Sequence, residues 1–137
     1  VYKRQDYFKQ VNDTYGHAVG DLVLQQVAST AQSLLRQSDT ICRYGGEEFV
    51  VLMPETTQES ASKVAERMRQ AFAELSFQSG GDAFSITVSF GVASLNYHEV
   101  ELQNGLETFE QLLQAADQAL YASKNSGRNR VSLAAWL

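Results

Sequence analysis

Arg43-Tyr44-Gly45-Gly46-Glu47-Glu48-Phe49-Val50-Val51-Leu52-Met53-Pro54 is the stretch on which the fold turns. Two β-rich runs, Thr40 to Tyr44 and Glu47 to Met53, meet at a pair of glycines. A tight hairpin turn needs positive φ, which glycine adopts without steric cost. The pattern predicts a hairpin with its turn at Gly45-Gly46. Phe49 to Leu52 is apolar without interruption, so that strand is expected to be covered on both faces. Pro54 ends it, because proline cannot donate to a strand ladder.

Working outward, Val23, Leu24, Val27, Ala31, Leu34 and Leu35 form an apolar stripe at helical spacing. They predict a helix from about Val19 to Gln37. A second stripe, Ala61, Val64, Ala65, Met68, Phe72 and Leu75, predicts a helix over Gln58 to Leu75. Gln78 to Asp82 reads as a Gly-rich loop, Phe84 to Leu95 as a long alternating strand, and Asn96 to Leu106 as a loop. Leu112, Leu113, Ala116, Ala119 and Leu120 predict a third helix over Phe109 to Ser123, with Gly127 suited to its C′ position. Arg130 to Leu133 suits a short last strand. Helices on one face of a mostly antiparallel sheet make an α+β domain. A strand ahead of the first helix would complete a βαββαβ core of ferredoxin type. The start of the chain is where that strand belongs, and its residues carry the weakest strand signal.

The chain has 137 residues, 44% of them apolar and 20% charged, enough for one globular domain spanning 1–137. Its net charge of −5 argues against a general nucleic-acid grip, which needs a basic face. A small anion held by a few local cations remains compatible with it. Cys42 is the only cysteine, so no intrachain disulfide forms and a reducing compartment fits. No apolar run reaches the length of a membrane span, and Val1 to Gln5 lack the apolar segment of a signal peptide. The domain itself is expected to make no membrane contact, although a longer parent can still be membrane-tethered.

Four clusters can carry chemistry, and each has a plainer explanation. Glu47 and Glu48 stand at a glycine turn, where carboxylates can meet a metal–phosphate complex without backbone crowding. They also suit a solvated hairpin tip. Asn12 and Asp21 flank a stretch read as a loop that leads into the first helix. One offers a donor and an acceptor and the other two acceptors, which can read a purine edge such as that of guanine. They equally suit a turn or a helix cap. Lys124 and Arg128 can clamp phosphates, the first as a point charge and the second as a planar fork. Cations are also favourable at any helix C-terminus. Arg36-Gln37-Ser38-Asp39 taken alone is an ordinary helix exit.

The joint order of these clusters is more specific than any one of them. Phe8-Lys9-Gln10-Val11-Asn12-Asp13-Thr14-Tyr15-Gly16-His17, followed by Gly20-Asp21, resembles the FKxxNDxxGH run of the GGDEF family of diguanylate cyclases. Arg43 to Phe49 is similar to the family's signature hairpin in its GGEEF form. Ala116-Asp117-Gln118-Ala119-Leu120-Tyr121 and Lys124-Asn125-Ser126-Gly127-Arg128-Asn129 are similar to its closing ADxALYxAKxxGRN pattern. The likeness runs from Asp6 to about Val131. It implies a nucleotidyl-cyclase-like fold and condensation of two GTP into cyclic di-GMP with release of two pyrophosphates, using Mg²⁺ or Mn²⁺. Each domain would hold one GTP, so catalysis needs a homodimer, and the location is cytoplasmic. By position, the resemblance implies that Asn12 and Asp21 bind guanine and that His17 lies in the substrate loop. Gly45 and Gly46 would let the backbone approach the phosphates, and Lys124 and Arg128 would hold the terminal ones. Glu47 would be a metal ligand and the base near the attacking hydroxyl, with Glu48 a second metal-side acid. Arg36 and Asp39 match an RxxD inhibitory site for the product, and Arg67 matches a further arginine of that site.

One departure bears on activity. The family carries an apolar strand ending in Asp-x-Asp just before the Phe-Lys pair, and the first aspartate is a principal metal ligand. Asp6 matches the second and is a further candidate for the metal. Two positions earlier stands Arg4. The first strand is therefore expected to be degenerate or missing, the helix preceding it in the family to be absent, and this chain to be poorly active. A foreign or truncated start to a normal cyclase is one explanation. The alternative is an impaired domain that serves as a receptor for cyclic di-GMP or GTP.

Overall fold

The computed structural model describes residues 2–5, 8–95 and 105–134. Its hairpin consists of β2 (Thr40–Gly45) and β3 (Glu48–Leu52). The turn lies one residue later than the glycine pair predicts. Gly45 pairs with Glu48, and Gly46-Glu47 form the two-residue loop, with positive φ (45°) at Gly46. The shift arises at Tyr44, where the β2–β3 register slips between Arg43 and Gly45. A bulge of this kind adds one residue to one strand and re-aims the residues beyond it.

A first strand is present, the degenerate rather than the missing one of the two expected outcomes. β1 (Tyr2–Gln5) lies between β3 and β6 (Val88–Val92) and pairs antiparallel with both. Its sequence, Tyr-Lys-Arg-Gln, has no apolar alternation, which is why pattern reading passes over it. Ladder bonds use the backbone and need no particular side chain. The main sheet runs β2-β3-β1-β6-β7, where β7 is Val131–Leu133 and pairs parallel with β6. Its first four strands have the order of a ferredoxin-like βαββαβ core.

Between β1 and β2 run two helices where one was expected, α1 (Phe8–Tyr15) and α2 (His17–Ser33). The segment holding Asn12 is thus helix and not loop. Gly16, at φ 89°, makes the break between them. α1 buries Phe8 and Val11 one turn apart, too short a stripe to declare itself in the sequence. α3 (Gln58–Ala73) starts at Thr57, whose side chain accepts a hydrogen bond from the Ser60 N–H at 3.2 Å. The long strand expected over Phe84 to Leu95 is divided. A small hairpin, β4 (Phe77–Ser79) with β5 (Asp82–Phe84), takes its start and the Gly-rich loop, and β6 comes after. α4 (Gly105–Asn125) starts before the predicted position. Asp6 and most of the predicted loop over Asn96 to Leu106 lie outside the described residues.

The helices cover both faces of the sheet, not one. Residues of α1, α2 and α3 pack with Phe49, Val88, Phe90 and Val92 in the larger core. Val50 and Ala93 pack on the other face against Ala115, Ala116 and Leu120 of α4. This explains the unbroken apolar run in β3: Phe49, Val50 and Val51 are all buried. No helix among the described residues is long and apolar enough to cross a membrane.

Candidate functional site

The hairpin, the first strand and the turn after α4 meet in one row across the sheet. Gly45 stands opposite Glu48, Glu48 opposite position 4 of β1, and position 4 opposite Ser89 of β6. Two strand spacings separate Glu48 from Ser89, roughly 10 Å. Ser89 is fully buried, and its hydroxyl oxygen accepts the N–H of Asn129 at 3.2 Å. The Gly-Gly-Glu-Glu tip and the turn bearing Arg128 thereby share one end of the sheet. Arg43 fastens the tip, its Nε donating to the Gly46 carbonyl at 2.8 Å. Gly45 and Gly46 are exposed there, and Glu47 and Glu48 are half-buried.

Beside the tip, an open groove of about 560 Å³ runs between α2 and the hairpin. Leu24, Ala28, Ile41 and Phe49 give it apolar walls, and Asp21 and Arg43 supply one charge of each sign. Its size suits a small-molecule ligand. Asp21 follows Gly20, which is buried against α1: a Cβ at Gly20 would overlap the Asn12 Oδ1. The absence of a side chain at Gly20 therefore fixes where the Asn12 amide sits. His17 is exposed at the first residue of α2.

Lys124 lies in the last turn of α4, and Arg128 follows in the turn after it, both half-buried. Among the described residues, no three His, Cys, Asp or Glu side chains group as a metal site. The tip offers two carboxylates, and the residue across the ladder from Glu48 is an arginine. A divalent cation held together with substrate phosphates takes one or two carboxylates, and Glu47 and Glu48 are of that kind.

Arg36 and Asp39 are joined to each other. The Asp39 carboxylate accepts the Arg36 N–H at 2.9 Å and its Nη2 at 3.1 Å. Arg36 also donates to the Pro54 carbonyl at 3.1 Å and to the Thr56 hydroxyl oxygen at 2.6 Å. The Asp39 side chain is 1% exposed and that of Arg36 56%. Burial pushes the Asp39 carboxyl up, but the Arg36 hydrogen bonds and charge outweigh it and hold the group below its ordinary value. The aspartate therefore orients the arginine, and the arginine presents the accessible surface. Arg67 is exposed on α3, and among the described residues no hydrogen bond or ion pair joins it to Arg36 or Asp39.

Sequence reasoning missed the roles of Gly20, Arg43 and Ser89. The first had a signal, because a buried glycine inside an amphipathic helix marks a close approach. Arg43 and Ser89 act through the bulge and the cross-strand register, which no local pattern states.

A family model described as the diguanylate cyclase GGDEF domain matches residues 2–130. Diguanylate cyclase A of Treponema denticola is 46% identical over 128 residues, covering 93% of this chain and 33% of that protein. The chain spans a third or less of the length of the curated relatives it matches. Among solved structures, the active GGEEF domain of a diguanylate cyclase from Vibrio cholerae superimposes with a TM-score of 0.85. It is 34% identical, with 99% of this chain and 81% of that chain covered. The GGDEF domain of DgcB from Caulobacter crescentus, solved in complex with c-di-GMP, gives a TM-score of 0.85. It is 32% identical, with coverage of 96% and 74%. The chain belongs to the diguanylate cyclase GGDEF-domain family.

Proposed function

We propose that residues 1–137 act as one GTP-binding domain of the cytoplasm. Two copies face each other to condense two GTP into cyclic di-GMP and two pyrophosphates. The observation that carries this reading is the row Gly45–Glu48–position 4–Ser89, which sets the acidic tip beside the turn bearing Arg128. Asn12 and Asp21 read the guanine edge, His17 belongs to the substrate-binding segment between them, and the groove under Asp21 takes the apolar face of the base. Gly45 and Gly46 leave room for phosphate oxygens at the backbone. Lys124 and Arg128 neutralise the terminal phosphates. Glu47 takes the proton of the attacking 3′-hydroxyl, and Glu48 is the second acid. Mg²⁺ or Mn²⁺ is the cofactor the family resemblance implies, and Arg4 leaves its site short of a carboxylate. Turnover by this chain is therefore low. The same arginine favours a second reading, a receptor that binds GTP or cyclic di-GMP without efficient turnover.

Chromatography of GTP reactions over a range of protein concentrations tests the first reading. Cyclic di-GMP is expected, at a rate per domain that rises with protein concentration and disappears in Glu47→Gln. GTP binding without product would move the assignment to the receptor. Neither binding nor product would sink both readings.

Product feedback acts through Arg36, held outward by Asp39, with Arg67 on the neighbouring helix as a second cation. Arginine forks match phosphates and guanine edges. Arg36→Ala is expected to weaken cyclic di-GMP binding, read by titration calorimetry, by roughly tenfold. Unchanged affinity would remove the site.

A further inference from the structure

The turn after α4 has an unusual backbone. Gly127, Arg128 and Asn129 have φ values of 107°, 62° and 46°, all left-handed. Asparagine tolerates that region, whereas arginine seldom enters it. Such a conformation persists where its surroundings over-determine it, and it tends to mark function. Here the surroundings come from separate parts of the fold. The Arg128 N–H donates to the Ser123 carbonyl at 2.9 Å, at the end of α4. The Asn129 N–H reaches Ser89 in β6. From α3, Arg69 Nη1 donates to the Asn129 Oδ1 at 3.0 Å.

Arg69 is itself locked. Its Nε donates to both carboxylate oxygens of Glu66, at 3.0 and 2.9 Å, and its Nη2 to the first of them. The Arg69 side chain is 21% exposed. With Nε and Nη2 engaged by Glu66 one turn away, the planar fork directs Nη1 to Asn129. A lysine has three rotatable donors but no such fork, so it does not fix the two partners in one plane.

We infer that Arg69, oriented by Glu66, is a positioning residue for the terminal phosphates of GTP: through Asn129 it holds the left-handed turn that places Arg128. This rests on the proposed reading of Arg128 as a phosphate clamp. Arg69 is two residues from Arg67 on α3, so the strut joins the helix that carries the second feedback cation to the phosphate end of the site.

The test is titration calorimetry of the full chain with GTP and with GMP, which share guanine but differ in terminal phosphates. Arg69→Ala, Arg69→Lys and Asn129→Gly are each expected to weaken GTP roughly tenfold, the weight of one hydrogen bond to a charged group, and GMP less than twofold. Arg69→Lys keeps the charge, so its loss would assign the effect to geometry. Asn129→Gly keeps a residue that tolerates the left-handed backbone, and thermal melts check that each variant folds. In an Arg128→Ala background, Arg69→Ala is expected to add nothing, because the two act on one contact. Equal losses for GTP and GMP, or an undiminished Arg69→Ala effect in that background, would overturn the positioning role alone. So would a loss on Arg128→Ala with none on Arg69→Ala or Asn129→Gly. An unchanged GTP-to-GMP ratio in Arg128→Ala, or no GTP binding by the wild-type chain, would overturn the phosphate reading and the inference with it.

Discussion

Gly91→Ala is expected to lower the stability of the folded chain by about 3 kcal/mol, and its melting temperature by roughly 10 °C. Gly91 sits in β6 on the face that receives α4. A Cβ there would overlap the Ala116 carbonyl oxygen and the Leu120 N–H, both helix backbone. Backbone cannot rotate away as a side-chain tip can, so the whole helix would have to lift from the strand. Lifting it would loosen Leu120, which is 1% exposed, and the smaller apolar cluster around Val50 and Ala116. Gly45→Ala is the matched control. It is also in a strand, has no positive φ, and has open space where the Cβ would go. Its expected cost is within about 0.5 kcal/mol. Equal effects of the two substitutions in thermal melts would mean that the close approach of α4 to β6 does not limit stability.

How much of this was legible in the sequence depended on whether the information was local. The hairpin announced itself because glycine, β-branched residues and proline fall in order within fifteen positions. Its turn was misplaced by one because the bulge at Tyr44 depends on how β2 meets β3, not on either strand alone. α1 escaped notice because eight residues give only two buried positions, Phe8 and Val11. β1 was expected at its place but only weakly signalled, because a central strand can be specified by the partners on both sides of it. The run from Phe49 predicted burial on both faces, which holds for Phe49, Val50 and Val51 but not for the exposed Leu52, yet helices were expected on one face only. Those two expectations were in tension, and α4 on the second face resolves them. Of the candidate site, Asn12, Asp21, Glu47, Glu48, Lys124 and Arg128 were named from the family resemblance that the order of the motifs carries. Arg36 and Asp39 fall three apart, within reach of one local turn. Their partners Pro54 and Thr56, and the Arg69–Asn129 strut across sixty residues, belong to tertiary packing and leave no trace in spacing.

Arg4→Asp is expected to raise cyclic di-GMP formation by at least about 100-fold, the scale on which supplying charge stabilisation at a reacting phosphoryl group acts. Position 4 is opposite Glu48 in one ladder and opposite Ser89 in the next. It is thus the centre of the row joining the acidic tip to the turn bearing Arg128. A positive charge there opposes a cation. An aspartate would instead replace that charge with a carboxylate at the register position opposite Glu48, and hard divalent cations take carboxylate oxygens together with phosphates. The exchange has a cost that makes the argument testable without turnover. Like charges directly opposite in a ladder destabilise it, so Arg4→Asp without metal should melt lower than the wild type. Added Mg²⁺ or Mn²⁺ should recover that loss, since a ligand that binds only the folded state stabilises it by mass action. The wild type should show no such recovery. A metal-dependent rise in melting temperature together with product would place the defect at position 4 of an otherwise competent domain. A variant that binds GTP, gains no metal-dependent stability and makes no product would show that the row cannot be completed by one carboxylate. The receptor reading would then account for the acidic tip better than the cyclase reading does.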